Sequence, residues 1–229
     1  MDMFSLGGRV RNPLAILLLL AVFGIVGGFL ELADEIDEAD TSLFDETVIL
    51  AMRVPGNPDD PIGSQRVEEV ARDLTALGGV TILTIIALVS FGAAVFSGRA
   101  KLGWAALAAV VLGTLGTSLL KSGYARPRPD LVEHGTWVSN ASFPSGHSMM
   151  SAVVYLTLAI LVARIQTRHR VRFFIVGVAV LLTVLVGISR VYLGVHWPTD
   201  VFAGWFLGAA WAVLFWLVAM KIDPRKARD

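Results

Sequence analysis

Three short polar clusters interrupt an otherwise apolar chain of 229 residues. Lys121 is followed within a few residues by Arg126-Pro127-Arg128-Pro129. Pro144-Ser145-Gly146-His147 comes next, and Ser189-Arg190 precedes His196-Trp197-Pro198-Thr199-Asp200. Arg grips an oxyanion by paired hydrogen bonds, and Lys acts on it as a point charge. Ser-Gly at a helix start offers free backbone N–H groups and the positive end of the helix dipole. With Lys121 and Arg190 supplied from two other helix ends, and Arg126 and Arg128 nearby, the set reads as a cage for a phosphate.

The histidines suggest what is done to that phosphate. His196 and Asp200 are four residues apart and can meet if a helix begins between them. A carboxylate on one ring nitrogen fixes the tautomer and makes the other nitrogen a better nucleophile or base. His147 has no carboxylate in its own cluster, so a protonated imidazole there can pass its proton to a leaving alkoxide. Opposed environments for two titrating groups divide acid from base.

Plainer roles exist for each cluster taken alone. Lys121 and Arg190 can complement helix C-termini or snorkel, Ser145 can be an ordinary cap, and Pro198 suits a first helical turn. A metal mechanism competes as well. Mg²⁺ needs placed carboxylates, of which the clusters supply Asp200. Zinc needs a third ligand beside two histidines, and neither His134 nor His169 is well placed in the sequence to provide it.

The elements that must position these residues are membrane helices. Hydrophobic residues make up 55% of the chain and charged residues 17%, with mean hydropathy +0.68, where soluble domains carry roughly 25% charge. Such a composition excludes disorder. With 19 basic and 19 acidic side chains the net charge is zero, so no overall field draws in nucleic acid. The absence of cysteine excludes disulfides and thiolate chemistry. A bilayer core takes about 20 apolar residues per helix, and six stretches qualify or come close: 13–32, 76–97, 102–120, 146–164, 173–189 and 199–219. The first is read as an uncleaved span, because it is longer than a signal core and Glu31-Leu32-Ala33 lacks a small-x-small site.

Cytoplasmic loops carry an excess of Lys and Arg. With both termini inside, the inner segments hold Arg9, Arg11, Arg99, Lys101, Arg164, Arg168, Arg170, Arg172, Lys221, Arg225, Lys226 and Arg228, twelve of the nineteen basic residues. All three polar clusters then face the outside. The first outer loop, 33–75, is long and acidic. Ser42 and Asp45 resemble a capping box opening a short helix, whose apolar residues Leu43, Phe44, Val48 and Met52 suit a membrane surface. Pro55-Gly56-Asn57-Pro58 is expected to end it, and Ser64 to cap a second short helix leading into the second span. Gly204-x-x-x-Gly208 offers a close-packing face in the last span.

In order, Lys121-x6-Arg128-Pro129, Pro144-Ser145-Gly146-His147 and Ser189-Arg190-x5-His196-x3-Asp200 resemble the tripartite signature of the type 2 phosphatidic acid phosphatase family. All eleven signature positions match, within residues 121–200, and the six spans extend the likeness over most of the chain. Soluble relatives, the bacterial acid phosphatases and vanadium haloperoxidases, share the motifs without the spans.

The resemblance implies an all-α, six-transmembrane-helix bundle, one phosphatase domain over residues 1–229, with its site at the outer ends of the last four helices. It implies metal-independent, cofactor-free hydrolysis of a lipid phosphate through a phosphohistidine. His196 would be the nucleophile, oriented by Asp200, and His147 the acid and then the base. Lys121, Arg128, Ser145, Gly146 and Arg190 would bind the phosphoryl oxygens, while Arg126 is not a signature position. Phosphatidic acid, phosphatidylglycerophosphate, undecaprenyl diphosphate and lipid A phosphates all fit such a cage. A bacterial inner-membrane setting is expected, with lipid reaching the site laterally between helices. The competing functions are a non-hydrolytic lipid or anion transporter and a lipid phosphotransferase on the same bundle. Repeated halves and broken midplane helices, which transporters tend to show, are not seen in the sequence.

Overall fold

The computed structural model describes residues 13–37, 41–136, 138 and 141–223. Arg9, Arg11, Arg225, Lys226 and Arg228 lie outside the described residues. Among those described, the chain forms α1 (Pro13–Asp37), α2 (Ser42–Leu50), a hairpin of β1 (Arg53–Val54) and β2 (Asn57–Pro61), α3 (Gln65–Ala76), α4 (Val80–Phe96), α5 (Ala100–Gly123), α6 (Gly146–Ile165), α7 (His169–Tyr192) and α8 (Pro198–Ile222).

Helices α1, α5, α6, α7 and α8 have 20 to 25 residues and are apolar enough to cross a membrane. At about 1.5 Å per residue they span a bilayer core of about 30 Å. Helices α3 and α4 meet at a 50° bend and, taken together, are apolar and long enough to count as a sixth span. The fold is therefore an all-α, six-span membrane bundle. Its outer surface is apolar, as a lipid solvent requires: Leu17, Leu20 and Phe23 on α1, Phe96 on α4 and Phe173 on α7 are all exposed.

Helix α6 is the pivot, packed against α4, α5, α7 and α8. Lipid tails give no hydrophobic drive between helices, so close approach through small residues must hold them. The glycine pair in α8 does this against α6. A Cβ on Gly208 would stand 2.4 Å from the Ala152 Cβ, and one on Gly204 would stand 2.9 Å from the Ser145 carbonyl oxygen. Gly187 of α7 likewise makes room for Trp205 of α8. Indole N–H groups add bonds between helices, from Trp211 to the Ala109 carbonyl at 2.9 Å and from Trp205 to the Thr183 carbonyl at 3.1 Å.

The ends of the bundle differ. At one, Arg99 pairs with Asp223, and Arg164 donates to the Asp223 carbonyl at 2.7 Å. The polar clusters gather at the other.

The first loop corrects three expectations. Helix α2 does open at Ser42, but its cap position is Thr41 and no side chain caps it. Asp45 is instead fully buried, drawn away by partners described below. Pro55-Gly56-Asn57-Pro58 lies beyond the end of α2 at Leu50, and Gly56, at φ 84°, lets the chain turn into the hairpin. The apolar face of α2 is also split. Leu43 and Phe44 are exposed, while Val48 and Met52 pack against buried Ile49, Val132, Val191 and Val201. Ser64 does stand at the cap of α3, without a side-chain bond.

Replacing Gly208 by Ala should destabilise the protein by about 1–3 kcal/mol through overpacking, read as a lower thermal midpoint in detergent. Gly24→Ala, where a Cβ meets nothing within 4 Å, should leave the midpoint unchanged or raise it. Equal midpoints for the two variants would contradict the packing described.

Candidate active site

Helix α8 begins at Pro198, whose missing N–H is no loss in a first turn. Two residues in, Asp200 folds back so that its Oδ2 accepts the Trp197 N–H at 2.9 Å. This puts the carboxylate beside His196, the residue before Trp197, with Nδ1 3.3 Å from Oδ2. Both side chains are buried. Ser142 also donates to Oδ2 and lies 3.4 Å from Nδ1. On the other side of the ring, Nε2 is 3.3 Å from Nη1 of Arg128. A guanidinium only donates and a carboxylate only accepts, so the proton belongs on Nδ1 and the lone pair on Nε2. His196 is thus a neutral imidazole aimed at Arg128. Burial holds it there, pushing its pKa down to about 4 against the opposing pull of Asp200.

The N-terminus of α6 adjoins that of α8. The Ser145 N–H donates to the Asp200 carbonyl at 3.0 Å, and Ser145 caps α6 through its Oγ. Gly146 opens the helix. A Cβ there would stand 3.3 Å from Cε of Lys121, so glycine lets the lysine lie across the helix start. Lys121, in the last turn of α5, donates to the Ala141 carbonyl at 3.1 Å. Arg128 bonds the Val195 carbonyl and also reaches toward Ala141. Burial pulls its pKa below the ordinary value, countered in part by Asp200.

Arg190, near the end of α7, is buried and donates from Nη1 to Thr75 Oγ1 at 2.8 Å. Its buried Nε has no hydrogen-bond partner among the described residues. Such an N–H is costly to leave unmet, and an anion in the cage would meet it. His147, in the first turn of α6, feels the charges of Arg190, Lys121 and Arg128 and the ring of His196. It is seated at the bend between α3 and α4, where a Cβ on Gly78 would lie 3.3 Å from its own Cβ.

All eight predicted site residues therefore converge. Of the remaining signature positions, Ser189 turns into its own helix, bonding the Val186 carbonyl at 2.7 Å. Among the described residues, no three His, Asp or Glu side chains are grouped to hold a metal ion.

The structure adds residues that sequence reasoning missed. Arg126 donates from Nη1 to Asp200 Oδ1 at 2.7 Å and to Thr199 Oγ1 at 2.8 Å. Its Nη2 pairs with Asp45 Oδ2 at 2.7 Å. Ser142 and Thr75 complete the surroundings of Asp200 and Arg190. The doublet Arg126-Pro127-Arg128-Pro129 hinted at a second functional arginine, but local spacing does not join Asp45 or Thr75 to residues far along the chain.

A family model described as the PAP2 superfamily matches residues 102–223. The chain is 40% identical over 157 residues to phosphatidylglycerophosphatase B of Bacillus subtilis, covering 66% of this chain and 73% of that protein. It is 31% identical over 120 residues to an undecaprenyl-diphosphatase of Sulfolobus acidocaldarius, covering 50% and 54%. Among solved structures, a transmembrane PAP2-type phosphatidylglycerolphosphate phosphatase from Bacillus subtilis superimposes with a TM-score of 0.81 at 30% identity, over 90% of this chain and 98% of the other.

Histidine-selective NMR in detergent should show one imidazole that stays neutral until the pH falls to about 4, where an ordinary histidine titrates near 6.5. That resonance should vanish in His196→Ala. A His196 signal titrating at the ordinary value would refute the buried neutral ring. The sign for the ring follows: Nε2 keeps its lone pair at every pH above about 4 and loses it below.

Proposed function

Since the chain belongs to the PAP2 superfamily, as a multi-pass membrane phosphatase of its lipid-phosphate branch, we propose that it hydrolyses a lipid phosphomonoester or diphosphate through a phosphohistidine on His196. Phosphatidic acid, phosphatidylglycerophosphate and undecaprenyl diphosphate are the candidate substrates. The observation that carries the reading is the neutral His196 ring, held on Nδ1 by Asp200 with Nε2 beside Arg128.

In the first step Nε2 of His196 attacks the terminal phosphorus, and a P–N bond forms as the P–O bond to the leaving group breaks, the lipid alkoxide of a monoester or the lipid phosphate of a diphosphate. His147 gives the departing oxygen its proton. In the second step, neutral His147 takes a proton from water, the new oxygen bonds phosphorus, and His196 leaves as the free imidazole. Inorganic phosphate departs, and His147 is again protonated. Lys121, Arg128, Arg190 and the Ser145-Gly146 helix start hold the phosphoryl oxygens, where charge builds in a loose transition state. Two buried carboxylates, Asp45 and Asp200, stand against Lys121, Arg126, Arg128 and Arg190. The excess of two positive charges, joined by a third whenever His147 is protonated, favours a phosphate dianion.

The whole of residues 1–229 serves this one activity as a single domain. The cluster end of the bundle faces outside the cell membrane and both termini face the cytoplasm, a reading supported by the Arg- and Lys-rich segments at the opposite end. A site at the mouth of a bundle lets the tails stay in lipid, with lateral access between helices.

Phosphate release from these three lipids and from a lipid A phosphate by protein in detergent, with EDTA present, tests the reading. Release should survive EDTA and fall by about 10³-fold or more in His196→Ala. Release that EDTA abolishes would overturn the metal-free mechanism. With folded protein, no release from any lipid would favour transport, and label passing to an acceptor other than water would favour a phosphotransferase. His147→Ala should separate the steps. It should still phosphorylate His196 from an aryl phosphate, whose leaving group needs no proton, and then turn over slowly. An equal loss with aryl and lipid phosphates at the first step would remove His147 as the acid.

A further inference from the structure

The first outer loop reaches into the site through one side chain. Asp45, on α2, is fully buried and accepts three hydrogen bonds. Its Oδ1 takes the Thr199 N–H at 3.0 Å, and its Oδ2 takes the Thr199 hydroxyl at 2.6 Å and Arg126 Nη2 at 2.7 Å. The other arm of Arg126 holds Asp200 Oδ1 at 2.7 Å. Its guanidinium is also 5.6 Å from the centre of the Trp197 ring. The order is therefore Asp45, Arg126, Asp200, His196, each in contact with the next.

We propose that Asp45 and Arg126 are positioning residues for the His196–Asp200 pair. This rests on the reading of His196 as the nucleophile. A carboxylate free to rotate would offer either oxygen to the imidazole, or turn to the phosphate cations close by. Arg126 occupies Oδ1, so Oδ2 is left for His196, Trp197 and Ser142. A single guanidinium beside several cations and an anionic substrate would itself be drawn to the phosphate. Asp45 prevents that, because pairing Nη2 fixes the plane of the fork and cancels one positive charge. The Thr199 N–H, a free donor in the first turn of α8, is satisfied by the same carboxylate, which locks α2 to that helix start. The loop thereby becomes part of the machinery without touching substrate.

The test uses the full chain in detergent, with Asp45→Asn, Arg126→Lys, Asp200→Asn, His196→Ala and the double variant Asp45→Asn/Asp200→Asn. Asparagine keeps the shape and an acceptor for Thr199, and lysine keeps the charge but not the fork. Elution profile and thermal midpoint establish that each variant is folded, and Arg126→Lys serves if Asp45→Asn is not. Both single variants should lower kcat and the rate of phosphoenzyme formation by about 10–100-fold, as lost supporting contacts do elsewhere, with KM within about twofold. The double variant should be no slower than Asp200→Asn alone, because Asp45 acts through Asp200. Wild-type rates in both folded single variants, a change confined to KM, or losses that multiply in the double variant would each overturn the positioning role and leave the histidine reading standing. Full activity in His196→Ala would instead overturn that reading, and this proposal with it.

Discussion

A buried carboxylate at one mouth of an apolar bundle is the constraint from which the site is built. Removing an ion from water costs several kcal/mol even after relaxation, so it persists only where partners surround it. Asp200 has the Trp197 N–H, Ser142, Arg126 and the Nδ1–H of His196, and it sits at the N-terminal end of α8, where the dipole favours negative charge. Each partner fixes a different part of the chain. Ser142 fixes the segment before α6, Arg126 the segment after α5, and His196 the turn between α7 and α8. The backbone takes part too, because the Asp200 carbonyl receives the Ser145 N–H and so sets the two helix starts side by side. Satisfying one buried charge thus brings His196 and the Ser145-Gly146 helix start together.

The cations pose the opposite problem. Lys121 and Arg190 stand at C-terminal ends of α5 and α7, which accounts for their being tolerated. It does not account for their direction. A snorkelling side chain would run to water, yet Arg190 is buried and bonded to Thr75, and its Nε meets no partner among the described residues. Like charges held together in a partly desolvated space repel, so their convergence makes this end of the bundle complementary to an anion.

Much of this was legible in the sequence because it is local. The four-residue step from His196 to Asp200 fits a helix starting between them, and Pro198 marks that start. Lengths of apolar chain gave the spans, and Gly204 and Gly208 gave the face on which α8 meets α6. What was not legible is tertiary. Asp45 is one of many acids in the first loop, and no pattern marks it as the buried one; reading it as half of a capping box was the local alternative, which pairing with Arg126 overrode. Thr75 and Ser142 matter only through residues far away in the chain. The split face of α2, with Val48 turned inward and Leu43 outward, depends on where the loop docks, which helical periodicity does not encode.

The packing also separates what is enclosed from what can change. Ser145 caps helix α6, which carries Gly146 and His147 in its first turn and is wedged among α4, α5, α7 and α8, so these residues start from a helix enclosed on several sides. The cage residues sit where α5, α7 and α8 lean on it. Helix α1 has a different status: it packs mainly on α8 and shows most of its surface to lipid. Its inner contacts, Phe29 stacked on Phe143 beside Tyr124, lie next to the segment that carries Ser142. Changes on the lipid-facing side of α1 can therefore be absorbed without disturbing α6, whereas changes in the first loop reach Asp200 through Asp45 and Arg126.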